Sequence, residues 1–169
     1  VVGSAGSDAK VTHIKDTLRF DDAFNYKTTE IGAALDKHCP NGIDVYFDNV
    51  GGATLDAVLA RLNEGARLAI CGQISQYDVR SNGEQFGLRN FSNILRKHAT
   101  VTGFSVRDNM DIFDDFLTRM AALMKAGDVV YEEDIVEGID AAPAAFIGMM
   151  QGDNVGKRLV RVGDDPTLD

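Results

Sequence analysis

The chain has 169 residues, the size of one domain or of part of a larger protein, and a formal net charge of −9. That charge argues against nonspecific binding to nucleic acid or to an anionic membrane surface, though not against a local basic pocket for an anion. No apolar run approaches the ~20 residues that cross a bilayer, and no basic-apolar-small leader opens the chain. Cys39 and Cys71 have no paired spacing, which suits a reduced, cytoplasmic setting better than a disulfide framework. His13, His38 and His98 fall on separate predicted helices without metal-ligand spacing, so they read as surface residues and no metal is expected.

Val1, Val2, Gly3 and Ser4 read as a strand already under way, as in the C-terminal part of a longer protein. Ser7 or Asp8 caps a helix reaching about Leu18, with Val11, Ile14 and Leu18 on one face. A short strand over 23–26 follows. Thr28 or Thr29 caps the next helix, which carries Ile31, Ala34 and Leu35 on one face and stops at Cys39-Pro-Asn-Gly42. The strand from Ile43 alternates Ile43, Val45 and Phe47 with Asp44, Tyr46 and Asp48, which predicts incomplete burial on one side. A helix over 53–62, apolar at Leu55, Val58, Leu59 and Leu62, ends at Asn63-Glu-Gly65. Residues 66–71 then form a strand that is apolar apart from Arg67.

Residues 78–87 are polar and contain Gly, and read as a loop. A helix is expected over 88–98 and a strand over 99–106. The longest amphipathic run, 110–125, presents Ile112, Phe113, Phe116, Leu117, Met120, Leu123 and Met124 on one face, a pattern that reads as core packing. Beyond 128 the chain changes character: a strand over 134–137, a helix from near Asp140 with Pro143 in its first turn, the turn Gly152-Asp-Asn-Val-Gly156, and a strand over 157–162 that alternates basic and apolar residues. The tail after Gly163 reads as disordered. Strand and helix alternate throughout, which predicts an α/β fold with a doubly wound parallel sheet. The expected division is 1–128, 129–162 and a tail over 163–169.

Three stretches could carry chemistry, because open parallel sheets bind ligands at the C-terminal tips of their strands. At Ser4-Ala-Gly-Ser-Asp-Ala-Lys10 the tip is small and uncharged and a lysine follows one helical turn in. A carboxylate at such a tip favours NAD and a basic residue favours a 2′-phosphate. The alternatives are an ordinary helix start with an exposed lysine, or a tip at which Asp8 and not Lys10 faces the ribose. At Asp48-Asn-Val-Gly-Gly52 the glycines either admit a ligand to the backbone or simply make a tight strand-to-helix turn. At Cys71-Gly-Gln-Ile-Ser-Gln-Tyr77 a buried strand opens at Gly72, where the backbone could lie against a flat ring and Tyr77 could hydrogen-bond a ligand. The Cys71 thiol reads as a small buried hydrophobe. No G-x-G-x-x-G motif and no hydrolase-like triad spacing occurs, and Glu132, Glu133 and Asp134 read as a solvated acidic run.

In order and combination, five segments resemble the medium-chain dehydrogenase/reductase superfamily, and within it the zinc-independent, NADP-dependent alkenal and prostaglandin reductase group. They are Val1-Val-Gly-Ser-Ala-Gly-Ser-Asp-Ala-Lys10, Phe24-Asn-Tyr-Lys27, Tyr46-Phe-Asp-Asn-Val-Gly-Gly52, Ala69-Ile-Cys-Gly-Gln-Ile-Ser-Gln-Tyr77 and Gly152-Asp-Asn-Val-Gly-Lys157. The resemblance implies an incomplete Rossmann-type sheet that lacks its first strand and glycine-rich loop, with a C-terminal strand-helix-strand extension returning to an absent catalytic domain. Since the absent strand is central in the order 3-2-1-4-5-6, the first remaining strands are not expected to pair with the Ile43 strand.

The resemblance also implies site roles. Lys10 and Tyr26 would hold the 2′-phosphate end of NADPH, and Asn49 would be a strand-tip contact. Cys71, Gly72, Ile74 and Tyr77 would run along the cofactor. Phe104, Ser105 and Val106 would flank the nicotinamide, and Asn154 would reach in from the C-terminal turn. The implied reaction is hydride transfer to the β-carbon of an α,β-unsaturated ketone or aldehyde, with Tyr77 as the candidate donor to the enolate oxygen. A quinone oxidoreductase of the same superfamily and a non-catalytic dinucleotide-binding module are the alternatives. The chain alone is expected to bind NADPH weakly and to lack reductase activity. A homodimer through the strand over 99–106 is also expected.

Overall fold

The computed structural model describes residues 1–77 and 86–164. The strands are β1 (Val2–Ala5), β2 (Asp22–Asn25), β3 (Ile43–Asp48), β4 (Leu62–Ile70), β5 (Thr100–Gly103), β6 (Glu133–Glu137) and β7 (Lys157–Arg161). The helices are α1 (Asp8–Asp16), α2 (Ile31–His38), α3 (Gly52–Leu59), α4 (Asn93–Arg96), α5 (Phe113–Ala126) and α6 (Ala142–Gln151). All pairings among the described strands are parallel, in three sheets: β1-β2, β3-β4-β5 and β6-β7. As expected, β1 does not pair with β3. Most of the expected loop over 78–87, and the tail beyond 164, lie outside the described residues.

One layer of helices spans the break between the first two sheets. Phe24 of β2, Ala34 and Leu35 of α2, Ile43 of β3, Leu55, Val58 and Leu59 of α3, and Leu62, Ala66 and Leu68 of β4 form one buried cluster. The apolar spacing on α2 and α3 faces both sheets at once, and burial of that shared face holds them together. On the other face of β1-β2, α1 packs so closely that a Cβ on Gly3 would stand 3.1 Å from Ile14. Helices therefore lie on both faces of the first sheet, as in a doubly wound fold.

The incomplete burial expected of β3 is present, but the open side is the apolar one. Val45 and Phe47 are each 61% exposed, whereas Asp48 is completely buried. Tyr46 and Asp48 turn toward the α3 layer, and no described helix covers Val45 and Phe47. The α5 stripe differs in the same way. Phe116, Leu117 and Met124 are exposed and no residue of α5 is buried, so among the described residues the stripe is not core.

Several boundaries differ from the sequence expectation for local reasons. The cap of α2 is Glu30 and neither threonine: its two carboxylate oxygens accept from Gly32 N at 2.9 Å and Ala33 N at 2.6 Å. Thr28 N and Thr29 N are already committed to the Asn25 carbonyl. The helix expected over 53–62 ends at Leu59, because the Arg61 carbonyl accepts from Ile43 N and β4 starts at Leu62, directly before the turn-like Asn63-Glu-Gly65. That segment is a bulge inside β4, with Gly65 at φ +69° and a register shift against β3. Of the helix expected over 88–98, only Asn93–Arg96 forms. The Asp56 carboxylate takes Arg89 N at 2.7 Å and Asn90 N at 2.8 Å, which holds this backbone against α3. The strand expected over 99–106 ends at Gly103, the register partner of the last residue of β4, and Val106–Ile112 forms a 3-10 turn ahead of α5.

Candidate functional site

Register brings three of the predicted tips side by side. Asp48 pairs with Ile70, and Ile70 with Gly103. Parallel strands ending level place Asn49, Cys71-Gly72 and Phe104 along one rim. Cys71 N donates to the Asp48 carbonyl at 2.8 Å, Gly72 N to the same oxygen at 3.0 Å, and Phe104 N to the Ile70 carbonyl at 2.9 Å. Gly72 lies within 3.4 Å of both oxygens of Asn49, measured from where its Cβ would stand, and 3.3 Å from the Tyr77 hydroxyl. Tyr77 accepts weakly from Gln73 N at 3.5 Å, and Ile74 N donates to the Asn49 carbonyl at 3.0 Å. Asn49, Ile74 and Tyr77 are exposed at this rim and Cys71 is half-buried. Phe104, Ser105 and Val106 are exposed and follow β5 in place of extending it.

The organiser of this rim is Asp48. Its Oδ1 accepts from Val50 N at 2.8 Å, Gly51 N at 2.9 Å and the Tyr46 hydroxyl at 3.0 Å. Burial, and after it the Asp48 carboxylate, push the Tyr46 phenol well above its ordinary range, so Tyr46 stays a neutral donor. The Asp48 side chain thus closes the β3 tip while its carbonyl holds the β4 tip. Sequence reasoning placed Asp48 inside the motif but gave it no role. The available signal was an acidic residue two and three positions before amides in a turn.

The two glycines after this tip form the tight strand-to-helix turn. Gly51 has φ +67° and Gly52 φ +56°. A Cβ on Gly51 would stand 3.0 Å from Gln73, and one on Gly52 2.7 Å from Gln76 and 2.8 Å from Ser75. Both glycines thus lie against the segment that follows the β4 tip. Gln76 also accepts from Phe86 N at 3.0 Å. Gly52, Leu55, Gln73, Gln76, Tyr77, Phe86 and Leu88 line a cleft of about 250 Å³ at this end of the rim.

A second group forms at the β1-β2 tips. Ser7 caps α1 by accepting from Lys10 N at 3.3 Å. Asp8 accepts from Asn25 Nδ2 at 2.7 Å, so its carboxylate is turned to β2 and engaged there. Tyr26 is exposed, and its hydroxyl lies 3.0 Å from where a Cβ on Gly6 would be, which places the ring over the glycine. The Lys10 ammonium donates to the Gly152 carbonyl, bringing the C-terminal turn to α1. Half-buried Asn154 in that turn donates to the Gly156 carbonyl at 2.7 Å. Among the described residues no hydrogen bond joins this group to the Asn49-Gly72-Tyr77 rim. Nor do the described residues contain a group of three or more His, Cys, Asp or Glu able to hold a metal ion.

Parallel strands, helices on both faces of the first sheet and two clusters of small and polar residues at C-terminal strand tips define a Rossmann-like α/β domain. Residues 1–131 match the family model described as zinc-binding dehydrogenase, and the chain belongs to that family, within the medium-chain dehydrogenase/reductase superfamily. It is 43% identical over 163 residues to an NADP-dependent 2-alkenal reductase of Nicotiana tabacum, covering 96% of this chain and 47% of that protein. It is equally 43% identical over 163 residues to (+)-pulegone reductase of Mentha piperita, with the same coverage. Its structure is similar to that of CurA from Vibrio vulnificus in complex with NADPH, with a TM-score of 0.90 and 38% identity, covering 98% of this chain and 50% of that one. The chain spans about half the length of the curated relatives it matches.

Proposed function

We propose that this chain is the NADPH-binding portion of an oxidoreductase that reduces the C=C bond of α,β-unsaturated ketones or aldehydes by hydride transfer. The observation that carries the reading is the β1 tip: Lys10 stands beside it, and the nearby carboxylate, Asp8, is tied to Asn25. A 2′-phosphate there would meet a cation and no competing acceptor-only group. The relatives named for alkenal and pulegone reduction, and the fold shared with an NADPH complex, support the same assignment.

In this reading the division falls at 128/129, and residues 1–128 hold the cofactor. Lys10 and Tyr26 take the 2′-phosphate end. Asn49, Cys71, Gly72, Ile74 and Tyr77 lie along it, Phe104, Ser105 and Val106 flank the nicotinamide, and Asn154 closes over it. Bound NADPH supplies the hydride. Tyr77, exposed and only weakly engaged by Gln73, is free to donate to an oxygen that gains charge as the hydride arrives. No zinc is required, since the charge on that oxygen is met by a hydrogen-bond donor. The 169-residue chain alone binds NADPH weakly and does not turn over, because the wall of the crevice that reads substrate lies outside it.

The protein works as a homodimer through β5. Among the described residues β5 pairs only with β4, leaving one edge open, and Val101 within it is exposed. Two free thiols support a reducing, cytoplasmic setting, and no helix among the described residues is long and apolar enough to cross a membrane.

The test is a titration of the protein with NADPH and NADH, followed by a screen of enals, enones and quinones with the longest form of the protein. Preference for NADPH and turnover of enals or enones is expected. Turnover of quinones alone would overturn the substrate class, and preference for NADH would overturn the role of Lys10. Sedimentation as a monomer at micromolar concentration would remove the dimer.

A further inference from the structure

Helix α1 carries two contacts to the C-terminal unit one helical turn apart. Lys10 donates to the Gly152 carbonyl, and His13 Nε2 lies 3.0 Å from Glu132 Oε2. Residues three apart on a helix share a face, so both contacts hold the same body. That body is otherwise lightly attached. β6, β7 and α6 pack chiefly on one another, and Ala145 is the one residue of α6 that is buried. Glu132 also seats the turn that carries Asn154: its carbonyl accepts from Lys157 N at 2.8 Å, and a Cβ on Gly156 would stand 2.3 Å from that oxygen.

We propose that Lys10 is a shared anchor, whose ammonium holds the Gly152 carbonyl and the 2′-phosphate of the bound nucleotide at once, so that the phosphate fastens the β6-α6-β7 unit to α1. The inference rests on the NADPH reading above and adds a coupling to it. An ammonium has three donors and no acceptor. One is used on Gly152, at the C-terminal end of α6 where the helix dipole favours a cation, and two remain for phosphate oxygens. The acceptors do not compete, and the same side chain becomes more rigid when both are present. A nucleotide with a 2′-phosphate therefore orders the turn bearing Asn154, and one without it does not. Glu132 and His13 are positioning residues in this scheme, since they hold the unit near Lys10 without touching the nucleotide.

Amide hydrogen exchange of the protein tests this, with adenosine 2′,5′-bisphosphate and adenosine 5′-monophosphate as probes, which differ only in the 2′-phosphate. The reporters are Val155 N, which donates to Asp134, and Lys157 N, which donates to Glu132. The bisphosphate is expected to slow exchange at both by about fivefold or more, and the monophosphate to leave them unchanged. Lys10→Met is expected to abolish that slowing and to lower the preference for the bisphosphate by about tenfold or more. Glu132→Gln is expected to speed exchange at both amides without ligand while keeping the preference. If the bisphosphate is preferred but exchange at Val155 and Lys157 is unchanged or faster, the coupling is wrong and the nucleotide reading stands. If the two probes bind alike, both fail. The comparison in the unmodified protein decides the matter even if the Lys10 variant does not fold.

Discussion

Asp48 Oδ1 lies 2.9 Å from the amide nitrogen of Gly51, and this bond closes the turn from β3 into α3. The same oxygen serves Val50 and Tyr46, and the carbonyl of Asp48 serves Cys71 and Gly72. One fully buried residue thus fixes two strand tips.

Asp48→Ala is expected to leave three donors without their acceptor and to cost roughly 2–4 kcal/mol. Asp48→Asn retains an oxygen at the Oδ1 position and is expected to cost less. Urea denaturation of the two variants checks the order, and an Asn variant as unstable as the Ala variant would show that the charge, not the acceptor geometry, holds the turn.

Gly52→Ala is expected to cost about 1–2 kcal/mol from the left-handed backbone alone. The new methyl would also displace the Gln76 amide, 2.7 Å away, which loosens its contact with Phe86. Gly87→Ala is the control. Among the described residues nothing lies within 4 Å of a Cβ there and its φ is not positive, so its denaturation midpoint is expected to stay close to that of the parent.

The Asp22 carboxyl is held well below the usual carboxylate range, first by its hydrogen bond with His38, then by Lys15 and by the Ala23 amide. A depressed carboxylate stabilises the fold above its unfolded value, near 3.8, and that contribution is lost as pH falls through the folded value. The stability difference between the chain and Asp22→Asn is therefore expected to be complete above about pH 4 and to shrink below it. Asp22 is partly exposed, so the effect is modest. A difference that grew on acidification would contradict the sign.

Burial pushes the Cys39 thiol above its ordinary value, and the nearby Asp22 carboxylate adds to this. Cys39 is thus expected to react more slowly with iodoacetamide at pH 8 than a free thiol does, and to reach the free-thiol rate in denaturant. Peptide mass spectrometry of alkylated protein measures both. Equal rates in native and denatured protein would mean that the C-terminal end of α2 opens readily.

Where the sequence pattern was read correctly, the cause is local. The alternation of short apolar runs with Leu55, Val58 and Leu59 at helical spacing specifies strands and helices through nearest-neighbour geometry alone. Ser7 as the cap of α1 and the turn at Gly51-Gly52 need only a few adjacent residues. The segments Asp48 to Gly52 and Cys71 to Tyr77 were legible as strand tips for the same reason. The helix expected over 88–98 failed because its first amides bind Asp56, more than thirty residues away. The α5 stripe has helical spacing, but spacing says nothing of whether another surface meets it.

The amino-acid order by itself therefore determined the parallel α/β class, the strand tips and the lysine at the first of them, since each depends on short-range periodicity and turn chemistry. Only the tertiary structure decided that Asp8 turns to Asn25, that the β4 tip rests on Gly51 and Gly52, and that Lys10 reaches Gly152. Those are meetings of residues 17 to 142 positions apart. They follow from which chain segments the shared α2-α3 core draws together, and from the few polar contacts that fix the C-terminal unit.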